Sequence, residues 1–140
     1  MQAEVRWLGK RSFLARSGSG HGIVIDVTEA AGGENLGPSP MELVLLGLGG
    51  CTGFDIVDML EKMRERVRGC RITLEAERAE NPPRVFTLIR MTIRVSGRQL
   101  DRAKVERAVK LSAEKYCSVS IMLGHSARIE REIVIEEETP

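Results

Sequence analysis

Residues 47–60 read GLGGCTGFDIVDML. The stretch has a helical apolar period, yet Gly47, Gly49, Gly50 and Gly53 crowd around Cys51. Each glycine in a helix interior costs about 1 kcal/mol relative to alanine. A helix that accepts four must need close backbone packing at that point, or must leave a thiol reachable. The helix itself is well announced. In SPME, Ser39 suits the N-cap, Pro40 the first helical position and Glu42 the return arm of a capping box. From Pro40 the pattern runs to about Arg64. Leu43 to Phe54 is apolar on nearly every face, which predicts burial all round. Further on, Ile56, Met59, Leu60 and Met63 should face inward, and Asp55, Asp58 and Lys62 outward.

Short alternating stretches precede this helix. AEVRWLG, SFLARS and GIVIDV are separated by turn-like segments and predict a three-stranded meander over residues 1–27. Residues 28–40 are a loop by composition. After the helix, CRITLEAERAE and RVFTLIRMTIRVSG alternate as strands, the second lining one face with Val85, Ile89, Met91, Ile93 and Val95. Asp101 can cap a helix from 102 to about 116, with Val105, Ala108, Val109 and Ser112 on one stripe. CSVSIMLG reads as a break and a short helix stopped by Gly124, and ARIEREIVIEE as a charged edge strand. The order βββ-α-ββ-α-α-β groups strands and helices, so the fold class is α+β with mostly antiparallel sheet. At 140 residues a single domain, 1–140, is expected. A wholly apolar half-helix needs sheet on more than one side, which points to a homodimer wrapped around two such helices.

Charge excludes some functions. Twenty-one basic residues against twenty acidic ones give a net charge of +1, with few aromatics to stack on bases. No nucleic acid partner is expected. The start MQAEVRWLGKRSFLARS has no signal-peptide apolar run, and the apolar stretch 43–54 is too short to span a bilayer. A cytoplasmic protein with no membrane association is expected, in which Cys51, Cys70 and Cys117 are not a permanent disulfide framework. Cys70 lies on a strand's apolar face and reads as structural. Cys51 reads as a small buried hydrophobe or a reactive thiol. Cys117, at the join of two helical segments, sits where free N–H groups favour a thiolate. Zinc held by Cys51, Cys117 and His125 would have three ligands and no diagnostic spacing. No Walker loop, nucleotide fingerprint or Ser-His-Asp set is present, and no cofactor is expected.

The chain resembles the OsmC/Ohr family over nearly its whole length. The resemblance is carried by three leading strands, a loop ending GPSPMEL, the helix with GCTGFDIVDML, two long strands, AEKYCSVS and a final strand. It implies an intertwined homodimer and a thiol peroxidase that reduces organic hydroperoxides. Cys51 would be the peroxidatic cysteine and Cys117 the resolving one. Their disulfide would be reduced by an external dithiol, small or lipoyl-borne. Leu45, Leu48, Phe54 and Met41 would wall the site and favour alkyl substrates.

By the same resemblance an arginine from the early strands activates the thiol, and a glutamate at the start of the central helix orients it. Arg11 is the best candidate for the first, ahead of Lys10, because a guanidinium can hold a thiolate and a carboxylate together. For the second the sequence departs from the hydroperoxide-resistance branch. The place directly after the proline is Met41, and Glu42 is one residue on, about 100° further around the helix. Glu42 is therefore either a cap or an orienting group. Two other functions fit such a dimer: a non-enzymatic binder of hydrophobic small molecules, and an oxidation sensor.

Overall fold

A computed structural model of the chain describes residues 1–139. Two compact units divide it, residues 1–46 and the remainder from Gly47.

The first unit is the expected meander. β1 (Ala3–Gly9), β2 (Ser12–Ser17) and β3 (Gly22–Ile25) form an antiparallel sheet in that order, with Trp7 opposite Phe13 and Phe13 opposite Ile25. Val5, Trp7 and Leu8 are exposed. Asp26 braces the loop that follows. Its buried carboxylate accepts N–H bonds from Val27, Glu34 and Leu36. The bond from Val27, above all, holds the carboxyl below its usual range against the opposing effect of burial. The unit ends in the first turns of α1 (Pro40–Lys62).

The capping box at that helix start is present. Ser39 N–H donates to Glu42 Oε1 at 2.9 Å, and Glu42 N–H donates to Ser39 Oγ at 3.3 Å. α1 is long and apolar enough to cross a bilayer by length and composition. Its stripe Leu48, Thr52, Ile56 and Leu60 is buried within the chain, as befits a core helix of a mixed fold. Burial all round is not what the structure shows, because Leu46 is 61% and Phe54 75% exposed.

In the second unit, β4 (Arg66–Arg78) pairs antiparallel with β5 (Phe86–Arg98). The buried face of β5 carries Ile89, Met91, Ile93 and Val95 as expected. A bulge at Glu77/Arg78 shifts the register at its start, where Phe86 rather than Val85 is buried. Asp101 caps α2 (Arg102–Leu111) by accepting from Ala103 N–H, and Val105, Ala108, Val109 and Ser112 are all buried. The helix stops short of 116. A π-turn (Ser112–Tyr116) leads into α3 (Ser118–Leu123), which ends at Gly124 as predicted. β6 (Arg128–Glu137) is an edge strand and runs parallel to β5. Helices between two strands carry the chain back to the end from which β5 started, so the last strand enters in the same direction.

Candidate active site

Two of the four glycines of α1 explain how the helix sits. A Cβ on Gly49 would lie 3.0 Å from Leu74 Cδ1, and one on Gly53 would lie 3.3 Å from Ile72 Cδ1. At both points a β4 side chain packs against bare helix backbone, and a Cβ there would press it by a few tenths of an ångström. Gly47 and Gly50 have nothing within 4 Å of that position. With Cys51 and Phe54 they form a stripe at i, i+3, i+4 and i+7, one helix face. Cys51 thus stands on the open stripe and is partly exposed, whereas its neighbour Thr52 lies on the closed one, 1% exposed.

The π-turn brings the second thiol to the first. Cys117 N–H donates to Ser112 O at 2.9 Å, a five-residue return that widens the last turn and releases the chain from the helix. Ser112 Oγ donates to Asp55 Oδ2 at 2.9 Å, tying this turn to α1. Cys117 becomes the N-cap of α3, with its Sγ accepting from Ser120 N–H at 3.3 Å. Thr52 Oγ1 lies 3.7 Å from the same sulfur. Cys117 is wholly buried. The result is a cluster in which Cys51 Sγ, Cys117 Sγ and an Asp55 carboxylate oxygen all lie within 4.8 Å of one another.

The two thiols differ electrostatically. Burial, then a hydrogen bond to Cys117, push the Cys51 thiol above its ordinary value; Val119 N–H opposes this, and the charges of Cys117 and Asp55 add to it. Burial also disfavours the Cys117 thiolate. The Ser120 hydroxyl, the Cys51 thiol, Ser120 N–H and the Thr52 hydroxyl together outweigh that and hold Cys117 below the ordinary value. Cys70 is pushed up by burial. Three donors, Cys51, Asp55 and Cys117, fall one short of the four of a closed zinc site, and Asp55 rather than His125 is the third.

Three side chains here escaped the sequence reading. Asp55, expected to face outward, turns to Ser112 and the thiols. Thr52 was not singled out. Arg131 on β6 donates from Nη2 to Ser120 Oγ at 3.3 Å, while its Nε is buried with no partner. A signal for Arg131 was present, because Ile129, Arg131, Ile133 and Ile135 alternate along β6 and place one guanidinium on an isoleucine face. Leu48 is fully buried and cannot line a substrate path.

Arg11 and Glu42 belong to the first unit. Arg11 is exposed in the turn between β1 and β2, beside Lys10, which pairs with Glu34 at 3.5 Å. Glu42 is exposed, and the Ser39 N–H and then the Ser39 hydroxyl hold its carboxyl below the usual range.

Residues 32–132 match the family described as OsmC-like protein. Protein YhfA of Escherichia coli K12 is 46% identical over 129 residues, which span 92% of this chain and 93% of that protein. A crystal structure of a hypothetical protein from Aquifex aeolicus VF5 is 30% identical and superimposes with a TM-score of 0.87, covering 99% of this chain and 97% of that one. The organic hydroperoxide resistance protein OhrB of Bacillus subtilis shares the fold at 22% identity, with a TM-score of 0.64 over 95% of this chain and 98% of its own.

Proposed function

Because this chain belongs to the OsmC-like protein family, we propose that it is a cysteine-based thiol peroxidase acting on organic hydroperoxides. The observation that carries this reading is the approach of Cys51 and Cys117 to within 4.8 Å. Chain positions 66 apart meet there through a π-turn that a plain helix would not need. The Cys51 thiolate attacks the terminal peroxide oxygen. The O–O bond breaks, the alcohol leaves with a proton, and Cys51 becomes a sulfenic acid. The Cys117 thiolate attacks that sulfur, hydroxide leaves as water on gaining a proton, and a Cys51–Cys117 disulfide forms. An external dithiol, small or lipoyl-borne, reduces it.

The attack requires charge on Cys51, which its surroundings in the second unit disfavour. The family resemblance gives Arg11 the task of supplying a cation and Glu42 that of orienting it; Glu42 also caps α1. The exposed stripe with Leu46 and Phe54 supports a homodimer, because a second copy would cover apolar surface that one chain leaves in water. The raised Cys51 thiol also favours a second reading, a binding dimer without turnover.

One experiment separates them. Reduced protein is treated with cumene hydroperoxide and digested without reductant for mass spectrometry. A Cys51–Cys117 peptide, absent from Cys51→Ser, is expected. Unmodified thiols in folded protein would reject the peroxidase and leave the binder.

A further inference from the structure

The two sulfurs of the disulfide would not be equivalent to an incoming thiol. Cys117 Sγ is wholly buried and already receives Ser120 N–H at 3.3 Å, with Thr52 Oγ1 at 3.7 Å. Cys51 is partly exposed and borders the open stripe of α1. Behind Cys117 stands Arg131, whose Nη2 holds Ser120 Oγ at 3.3 Å and whose Nε has no partner. Arg131 takes part in no ion pair among the described residues. A partly buried guanidinium without a carboxylate is costly unless negative charge arises nearby. Cys51 and Asp55 from α1 gather with Cys117 within 4.8 Å of one another, while Glu75, Glu130 and Glu132 line a groove with Arg131 without pairing to it. Burial draws the Arg131 pKa down, and the Cys117 charge acts against that.

We propose that Arg131 and Ser120 are positioning residues that make Cys117 the leaving sulfur of the Cys51–Cys117 disulfide, so that the reducing dithiol bonds to Cys51. This rests on the proposed function for the existence of that disulfide. The step balances. A thiolate of the dithiol attacks Cys51 Sγ, the Cys51–Cys117 bond breaks, and its electron pair leaves on Cys117, beside the donors already in place. The second thiol of the reductant then attacks the mixed disulfide, releases Cys51 and gives it a proton. The dithiol departs as a disulfide and both protein cysteines are reduced. Exchange is faster when the departing sulfur is the better-stabilised anion.

The test uses the aliphatic monothiol 2-mercaptoethanol, in excess, as probe. The disulfide is made with diamide, so the outcome is independent of peroxide turnover. Exchange is stopped with acid, free thiols are alkylated, and the digest is read by mass spectrometry without reductant. The adduct is expected on Cys51 at least about tenfold over Cys117. Arg131→Met and Ser120→Ala should slow adduct formation several-fold, and Arg131→Lys should restore most of the rate. A merely structural role for Arg131 would loosen the site and speed exchange, the opposite sign. An adduct on Cys117, an even split, an unchanged or faster rate in Arg131→Met, or no disulfide with diamide would each overturn the proposal. A diamide disulfide with the expected adduct, but no reaction with cumene hydroperoxide, would sink the peroxidase alone.

Discussion

The two faces of α1 use the same residue for opposite ends. On the closed face, Gly49 and Gly53 let Leu74 and Ile72 of β4 press against helix backbone. On the open face, Gly47 and Gly50 meet nothing, and Leu46 and Phe54 beside them are largely in water. Packing within one chain explains the first pair of glycines only. The second pair makes sense if something outside the chain, a second copy or a substrate's alkyl group, comes up to the stripe that carries Cys51. Adjacent residues divide the work: Cys51 belongs to the open face, while Thr52 belongs to the closed one and touches the partner thiol.

The largest effect expected from this division is chemical. Cys51→Ser should reduce cumene hydroperoxide consumption on the order of 10³-fold or more. Cys117→Ser should instead allow one turnover and then stop, leaving a Cys51 sulfenic acid that dimedone traps. A Cys51→Ser protein that still consumes peroxide at the original rate would remove the chemistry from the open face.

Next in size are the glycines themselves. Gly49→Val puts methyl groups into the contact with Leu74, where overpacking costs about 1–3 kcal/mol. Gly50→Ala meets no atom of the described residues; in an isolated chain it gains about 0.5–1 kcal/mol, as alanine for glycine does in a helix, and the covering copy of a homodimer reverses that sign. Denaturant unfolding of both variants reads the two signs. A loss at Gly50→Ala would put another surface directly against that residue in solution, and the open face would then be an interface.

How much of this was visible beforehand depends on the range of the interaction. The capping box of Ser39 and Glu42, the Asp101 cap, and the stripe from Val105 to Ser112 are local patterns, and the structure keeps each of them. The Asp58–Lys62 pair, four residues apart on one helix, is likewise present at 2.7 Å. What the residues alone did not disclose depends on distant partners. Asp55 reads as an outward helix charge until Ser112, 57 positions later, donates to it. The π-turn leaves no periodic trace, because five residues are too few to show a changed repeat. The parallel entry of β6 follows from where two helices leave the chain, which no strand pattern encodes. Arg131 is the instructive miss: the alternation that placed it on the isoleucine face was legible, but on an edge strand rich in charges one arginine among several did not stand out.

The smallest effect expected is a separation of the two thiols on titration, and it examines the comparison most finely. In a Cys70→Ala background, ultraviolet thiolate absorbance should rise in two steps on either side of the ordinary thiol value. The lower step follows Cys117, whose thiolate keeps the donors Ser120 and Thr52 in spite of burial. The upper step follows Cys51, disfavoured by burial first and then by its bond to Cys117. Because the sites interact, the steps belong to the pair. The sign for stability follows. A depressed Cys117 contributes stability that is present above the unfolded thiol pKa and lost as pH falls through the folded one. A raised Cys51 acts the other way, opposing folding increasingly as pH climbs past the ordinary thiol value. Cys117→Ser should therefore abolish the lower step and move the remaining one down, since both the bond and the charge that hold Cys51 up would be gone. A single step at the ordinary value in the parent would mean that the closed face does not act on the thiol it encloses.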